Sequence, residues 1–469
     1  MGMKIIGISD IEGFRLGNAE NKEKGTGCTV IVCEDGAVGG VDVRGGGPAT
    51  RETDLLRSEN TVNAVNAVVL SGGSAFGLEA ASGVMRELAD RKIGFDVGEG
   101  IVVPIVCGAS LFDLAVGDHS AFPDVGMGMQ AVRNAYVEGG FSRGNHGAGT
   151  GATVGKIKGH DRAMKTGLGT FACGDGFIEV GAITAVNAVG DVYNGAGNII
   201  AGLRSEDGGS IYGTIKTLKS MVHDNTVSVD ESTAFIDRAD VDQAISFSDA
   251  EDKPAGFSDT SNTEDKVISF ADLEDEVKDA DEVPVYETEE AADPQDPETA
   301  VPEAEAAAEI FDEQSGSDPE PEPEPASEAA PEELTEEEPA AEAEPEEQQD
   351  TVQEEEPKRE LTSEEMGYDI AFNTTISCLI TNADLTKSQA NKLASILHDA
   401  YARAIKPVHG TLDGDTVFVL ASGKQKVNFD AFAALATDVM QYAIIDGAMS
   451  AEGEYGLPAA RDMQNTGDK

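Results

Sequence analysis

The sequence predicts an α/β fold made in two separated pieces. Three observations predict it. Strand-like apolar runs alternate with helical periodicity through residues 1–215, the last hundred residues read strand, helix, strand, helix, and the stretch between has neither pattern. The C-terminal piece is too small to form both faces of an independent sandwich, so it is expected to complete the sheets that residues 1–215 begin. The expected organisation is residues 1–219 and 366–469 as two parts of one domain, with residues 220–365 inserted between them.

In chain order, Gly27–Cys33 reads as a strand and Gly36–Val43 as its hairpin partner. A glycine-rich loop with two arginines follows, Arg44-Gly-Gly-Gly-Pro-Ala-Thr-Arg51. Val65–Leu70 gives a buried strand, and Ser71-Gly-Gly-Ser74 turns it into a helix from about Ala75 to Arg91. Phe76, Ala80, Val84 and Leu88 fall on one face of that helix, and Ser74 is its expected N-cap. The free N–H groups at this glycine-rich start suit either an anion or a tight strand-to-helix connection. Gly144–Lys156 imitates a phosphate loop, but its glycine spacing is wrong and Ile157 stands where a magnesium-binding Ser or Thr belongs. Gly126-Met-Gly-Met-Gln-Ala131 imitates a dinucleotide fingerprint, but neither a convincing preceding strand nor an acidic partner accompanies it. Ile178–Ala188 is a further strand-like run, and Asn187 within it is a satisfied core amide, a turn residue before Gly190 or a site donor.

Residues 281–360 hold 32 Asp or Glu against only Lys358 and Arg359, so this window supplies −30 of the chain's net charge of −55. Few apolar side chains and heavy like charge do not offset the entropy of ordering, so this Glu/Pro/Ala-rich segment is expected to be disordered. The charge is therefore local. With no basic stripe for phosphates, nucleic-acid binding is excluded. No window reaches the roughly 18 apolar residues of a membrane helix, and no signal peptide is evident. The five cysteines form no CxxC pair and lie near no His at metal-ligand spacing, which points to reduced thiols in a cytoplasmic protein and to no metal or cofactor.

Order returns near Met366. Ile376, Cys378 and Ile380 alternate onto one face of a strand that starts at Thr374. Thr386-Lys-Ser-Gln389 has capping-box spacing and opens a helix carrying Leu393, Ile396, Leu397, Ala400, Tyr401 and Ala404, which ends before Pro407. Thr416–Ala421 is a strand, and a last helix runs from about Phe429 to Ile445. On Phe372-Asn373-Thr374-Thr375-Ile376 alone, a strand-starting threonine after a polar linker is the simpler reading. The chemical reading needs the bond before Thr374 to be cut. The hydroxyl would then sit beside a free α-amine whose reference pKa of roughly 7.7–8.0 suits a general base at neutral pH.

Six segments then carry a resemblance: Arg44–Leu56, Leu70–Leu78, Gly147–Gly151, Val186–Gly190, Asn373–Ile376, and Pro407-Val-His409 with Asp413-Gly-Asp415. Together they resemble the peptidase family of the L-aminopeptidase/D-esterases, β-peptidyl aminopeptidases and nylon-oligomer hydrolases, over about residues 1–215 and 366–447. The resemblance implies an αββα sandwich, a fold type shared with the ornithine acetyltransferases. It implies a precursor that cuts itself between Asn373 and Thr374, leaving Thr374 as the N-terminal nucleophile of an aminopeptidase or amidase for short peptides or amides. It puts Asp413 and Asp415 beside the nucleophile and its amine, Asn187 on the oxyanion and Lys165 near the hydroxyl. It also implies homo-oligomers of processed heterodimers. The Asp-x-Asp form is most similar to the nylon-oligomer branch. The long acidic insert before the cut and the lack of a tyrosine near Gly155 depart from the family pattern. An acyltransferase of the ornithine acetyltransferase type, or a non-catalytic scaffold with an acidic tail, are the alternatives.

Overall fold

The computed structural model describes residues 2–222 and 373–464. From residue 223 on, the expected acidic insert lies outside the described residues, as does the start of order expected near Met366. Ten strands form one continuous sheet: β1 (Lys4–Ile5), β2 (Arg15–Asn21), β3 (Thr26–Val43), β4 (Ala49–Arg51), β5 (Ala64–Ser71), β6 (Val106–Ser110), β7 (Leu168–Gly174), β8 (Glu179–Ala185), β9 (Ile376–Ala383) and β10 (Thr416–Gln425). Their order is β1-β7-β8-β9-β10-β3-β5-β6-β4, with β2 also on β3. Pairs β9–β10 and β5–β6 are parallel and the others antiparallel. The helices are α1 (Glu79–Asp90), α2 (Val125–Asn134), α3 (Thr214–Met221), α4 (Lys387–Ala404) and α5 (Phe429–Met449), with a short C-terminal helix at Ala460–Gln464.

The 18-residue strand β3 makes two layers out of one sheet. Its first part pairs with β2 and β5, and residues Val38–Val43 pair with β10. The two halves face each other across a shared core. Ile31, Val68, Leu70 and Cys107 come from one half, and Ile183, Ile376, Cys378, Ile380, Phe418 and Leu420 from the other. Because successive strand residues point to opposite faces, their neighbours face outward onto helices. Val30, Val32, Ala67 and Val69 pack under α1 and α2. Val180, Leu379, Val417 and Val419 pack under α4 and α5. Helix, sheet, sheet and helix are thus stacked as an αββα sandwich, and the C-terminal strands β9 and β10 lie between strands from the N-terminal part.

Three local expectations are corrected. Residues 27–43 form no hairpin. The chain absorbs the residues between Val32 and Ala37 as a register shift and continues as β3, because its two ends find different partners. The helix after the glycine-rich turn begins as a 3-10 segment at Ser74–Leu78, whose tighter winding changes the phase. Phe76 is therefore exposed and stacks on Phe122, with ring centroids 5.3 Å apart, while Ala80, Val84 and Leu88 are buried as expected. Ser74 is not the cap; the N-cap position is Gly73, and no side chain caps that end. Elsewhere both halves of the capping box at Thr386 and Gln389 form, and α4 buries Leu393, Leu397, Ala400, Tyr401 and Ala404. All five cysteines are buried and free.

Candidate active site

Thr374 lies two residues before β9, in the middle of the sheet, and its backbone is held from both sides. Its N–H donates to Asn187 O at 2.9 Å, and the next N–H, of Thr375, donates to Asp415 Oδ1 at 2.8 Å. Asn373 and Asp413 form a parallel bridge, with Asn373 N–H on Leu412 O at 3.3 Å. Asn373 and Thr374 are both buried. The Thr374 hydroxyl donates to the carbonyl oxygen of Asn373. One backbone donor reaches both oxygens: Gly414 N–H points to Thr374 Oγ1 at 3.0 Å and to Asn373 O at 3.1 Å. Negative charge developing on Asn373 O would meet that donor.

The loop carrying Asp413, Gly414 and Asp415 is shaped by close contact with the glycine-rich loop after β3. Arg44 N–H donates to Asp415 O at 3.0 Å, Gly46 N–H to Gly410 O at 3.2 Å and Gly47 N–H to Asp413 O at 2.8 Å. A Cβ at Gly45 would stand 2.1 Å from Asp413 O, so the two backbones meet only without a side chain there. Gly414 is constrained likewise, since its Cβ would stand 2.6 Å from Thr374 Oγ1.

The two aspartates are held differently. Asp415 Oδ1 takes Thr375 N–H, and its Oδ2 takes the backbone N–H of His409 at 3.0 Å and contacts His409 Nδ1 at 2.9 Å. Asp413 Oδ2 takes Gly410 N–H at 2.6 Å, while its Oδ1 is buried with no hydrogen-bond partner among the described residues. Burial, then the nearby Asp415, push the Asp413 carboxyl up to about 6.

Asn187 is a junction. Its Oδ1 accepts from Lys156 Nζ at 2.7 Å and from Thr153 N–H at 3.0 Å, and its Nδ2 donates to Phe112 O at 2.9 Å. The two donors beside Oδ1, Lys156 Nζ and Thr153 N–H, fix this amide orientation, because the flipped form would set donor against donor. Lys156 Nζ also donates to Asn187 O at 3.2 Å, the oxygen that accepts from Thr374 N–H. Burial pushes Lys156 down to about 7, against the opposite pull of Asp413 and Asp113.

Asn373, Thr374, Asn187, Asp413 and Asp415 thus come together, but Asn187 is not the donor at Asn373 O: its Nδ2 is taken by Phe112 O, its backbone carbonyl holds Thr374 N–H, and the donor at Asn373 O is Gly414 N–H. Lys165 does not join their hydrogen bonds: its buried Nζ donates to the carbonyls of Gly149, Ala152 and Thr166. Lys156, Gly414 and His409 are the residues of this cluster that the sequence reading did not assign. Lys156 had a signal, the glycine-rich run ending in Gly155-Lys156, but its amine reaches a side-chain amide rather than a phosphate. The glycine-rich turn at residues 71–74 holds an internal carboxylate: Gly73 N–H donates to Asp113 Oδ1 at 2.6 Å, and Thr26 Oγ1 to Asp113 Oδ2 at 2.8 Å. Among the described residues, no group of three or more His, Cys, Asp or Glu could hold a metal ion, and no helix is long and apolar enough to cross a membrane.

The family described as peptidase family S58 matches this chain over residues 7–254 and 331–458. An uncharacterized aminopeptidase of Mycobacterium tuberculosis is 27% identical over 479 residues, covering 97% of each chain. A 6-aminohexanoate-oligomer endohydrolase of a Kocuria species is 33% identical over 196 residues, which is 41% of this chain and 51% of that one. Among solved structures, a protein of Pyrococcus horikoshii superposes with a TM-score of 0.50 at 13% identity, covering 99% of this chain and 96% of that one. The chain belongs to peptidase family S58. It is a hydrolase of the same family that its six sequence segments resemble.

Proposed function

We propose that the chain is a self-processing N-terminal-threonine aminopeptidase or amidase, cut between Asn373 and Thr374. One observation carries this reading: Gly414 N–H reaches both Thr374 Oγ1 and Asn373 O, so the attacking oxygen and the oxygen that would gain charge share a donor. In the uncut chain the Thr374 nitrogen is an amide and cannot serve as base. Lys156, whose amine is held near neutrality and bonded to the same Asn187 oxygen as Thr374 N–H, is the base proposed for this first step. Thr374 Oγ1 bonds to the Asn373 carbonyl carbon as its proton passes to the amine. The C–N bond breaks, the Thr374 nitrogen takes a proton, and water opens the ester to give the Asn373 carboxylate and a free Thr374 hydroxyl.

The freed α-amine then acts as base for Thr374 on a substrate amide. As an ammonium it carries more donors than the amide did, and the unpartnered Asp413 Oδ1 is the acceptor proposed for one of them. Substrate acylates Thr374 Oγ1, its amine leaves with a proton, and water releases the acid. The names of the relatives favour short peptides, aminoacyl amides and amide oligomers of amino acids as substrates. We further propose cytoplasmic oligomers of processed heterodimers.

Mass spectrometry of the purified chain tests the reading. Fragments 1–373 and 374–469 are expected, and Thr374→Ala should remain one chain without hydrolase activity. An intact wild type that hydrolyses amides would overturn it. Acetyl transfer from N-acetylornithine to glutamate, measured beside aminoacyl-anilide hydrolysis, separates it from the acyltransferase alternative.

A further inference from the structure

Asp415 touches Thr375, not Thr374, and its second oxygen is taken up entirely by His409. The His409 backbone N–H and ring Nδ1 both meet Asp415 Oδ2, at 3.0 and 2.9 Å. Two groups of one residue reach one oxygen because His409 has φ of +59°. That left-handed conformation is uncommon outside glycine, and histidine, like asparagine and aspartate, is one of the residues that adopts it most readily; here it turns both groups onto one carboxylate oxygen.

The ring is held on its other sides. Tyr401 stacks against it, with centroids 5.9 Å apart, and His398 meets it edge-on at 4.7 Å. Both come from α4, three residues apart, and so lie on one helix face. Each is itself fixed. Tyr401 Oη lies 2.6 Å from Ser377 Oγ, with the carbonyl oxygens of Thr375 and Thr416 at 3.3 and 3.4 Å. His398 Nε2 lies 3.1 Å from Asp42 O. The charged and titratable groups around the pair are Asp415 and, through it, Asp413 from the site loop, with Asp42 and Arg44 from the end of β3. Burial pushes His398 down to about 4, so it stands beside His409 as a neutral ring. Asp415 Oδ2 already serves as acceptor for the backbone N–H, and the contact of Nδ1 with the same oxygen assigns the ring proton to Nδ1. His409 Nε2 is buried with no hydrogen-bond partner among the described residues, so the ring's polar contact with the site runs through Nδ1 alone.

We infer that His409 is a positioning residue: it fixes the Asp415 carboxylate, which fixes Thr375 N–H and thereby the placement of Thr374 against Asn373. This inference rests on the reading of Thr374 as the self-cleaving nucleophile. It accounts for a histidine in a left-handed backbone conformation beside a carboxylate that does not itself touch the hydroxyl.

The test compares full-length chains carrying His409→Asn, His409→Gln and His409→Ala with wild type and Thr374→Ala. Asparagine tolerates the left-handed backbone and puts an amide donor where Nδ1 stands. Glutamine keeps polarity and bulk but carries its donor one methylene too far. Appearance of the 374–469 fragment is followed by mass spectrometry, kcat and KM are measured on processed protein, and thermal unfolding checks folding. His409→Asn should process within a few-fold of wild type. His409→Gln and His409→Ala should process about tenfold slower or worse, the scale of losing a hydrogen bond to a charged group, and kcat should fall while KM holds. In an Asp415→Asn background, His409→Ala should add little, because its effect passes through Asp415. Equal processing by the Asn and Gln variants, or an undiminished effect of His409→Ala in that background, overturns the inference. If His409→Ala does not fold, the Asn–Gln comparison still decides. Thr374→Ala separates the two levels: processing or hydrolysis by that variant removes the underlying reading, whereas an inert Thr374→Ala beside a wild-type-like His409→Gln removes only the role of His409.

Discussion

Two lysines nine residues apart have opposite fates. Lys156 and Lys165 are both buried, and burial pushes both down to about 7. Lys165 donates to three backbone carbonyls, whereas Lys156 reaches the side-chain and backbone oxygens of Asn187 beside Thr374. Lys165→Met should therefore act on stability, since it removes three hydrogen bonds inside the core, at about 1 kcal/mol each; a lowered urea midpoint, with any folded protein still cut at 374, is the expected result. Lys156→Met should stay folded and lose processing, by at least about a hundredfold for a missing general base. The pH dependence has a definite sign. Lys156 is a base only when neutral, a fraction that grows as pH rises through about 7, and Asp413 ionises as pH rises through about 6. Processing of freshly refolded precursor should speed up between pH 6 and 8; a rate that falls over this range would sink the base assignment. Why the sequence points to Lys165 rather than Lys156 is physical. Motif likeness brings Asn187, Thr374, Asp413 and Asp415 to notice, but which buried amine meets which carbonyl is decided by tertiary contacts that no local spacing records. Gly414 is hidden for a similar reason, because what it brings to Thr374 and Asn373 is a backbone N–H.

At the level of elements, alternation and capping were legible because they are local. Ile376, Cys378 and Ile380 do share the inter-sheet core, and the Thr386–Gln389 box does open α4. The unity of β3 was not legible. A glycine in the middle of an apolar run signals a turn unless each half has its own partner, and those partners, β5 and β10, lie far away in the sequence. Phe76 failed for want of a 3-10 turn, which shifts phase without changing composition. The contact between β3 and α4 ties an element to the site. A Cβ on Gly40 would stand 2.3 Å from the Ala390 backbone carbon, so the strand and helix touch directly there. Gly40→Ala must push α4 outward, and α4 carries His398 and Tyr401. The expected outcome is a loss of about 1–3 kcal/mol from overpacking, seen in urea unfolding, together with slowed processing. Normal processing in a destabilised Gly40→Ala protein would show that the site loop is held without α4.

For the whole molecule, the position of the proposed cut relative to the sheet matters most. Strand β9 lies between β8 and β10, and β10 lies between β9 and β3, so the 374–469 piece is threaded between strands of the 1–373 piece. Its apolar side chains are shared between two cores that both need the larger piece. Processed fragments should therefore copurify through size exclusion and part only in denaturant. Every strand of the ten-stranded sheet also comes from outside residues 220–365. We propose on this ground that the acidic stretch is dispensable for folding and chemistry. A chain lacking residues 230–360 keeps residues 361–372 ahead of Asn373. Its expected behaviour is a wild-type-like unfolding transition, a cut that still leaves Thr374 as the new N-terminus, and unchanged hydrolysis of aminoacyl anilides. If the shortened chain stays uncut while folding normally, the acidic stretch takes part in presenting the Asn373–Thr374 bond. If instead its biological activity is lost while its chemistry survives, the stretch works by engaging a partner, and the hydrolase and the acidic segment are two functions in one chain.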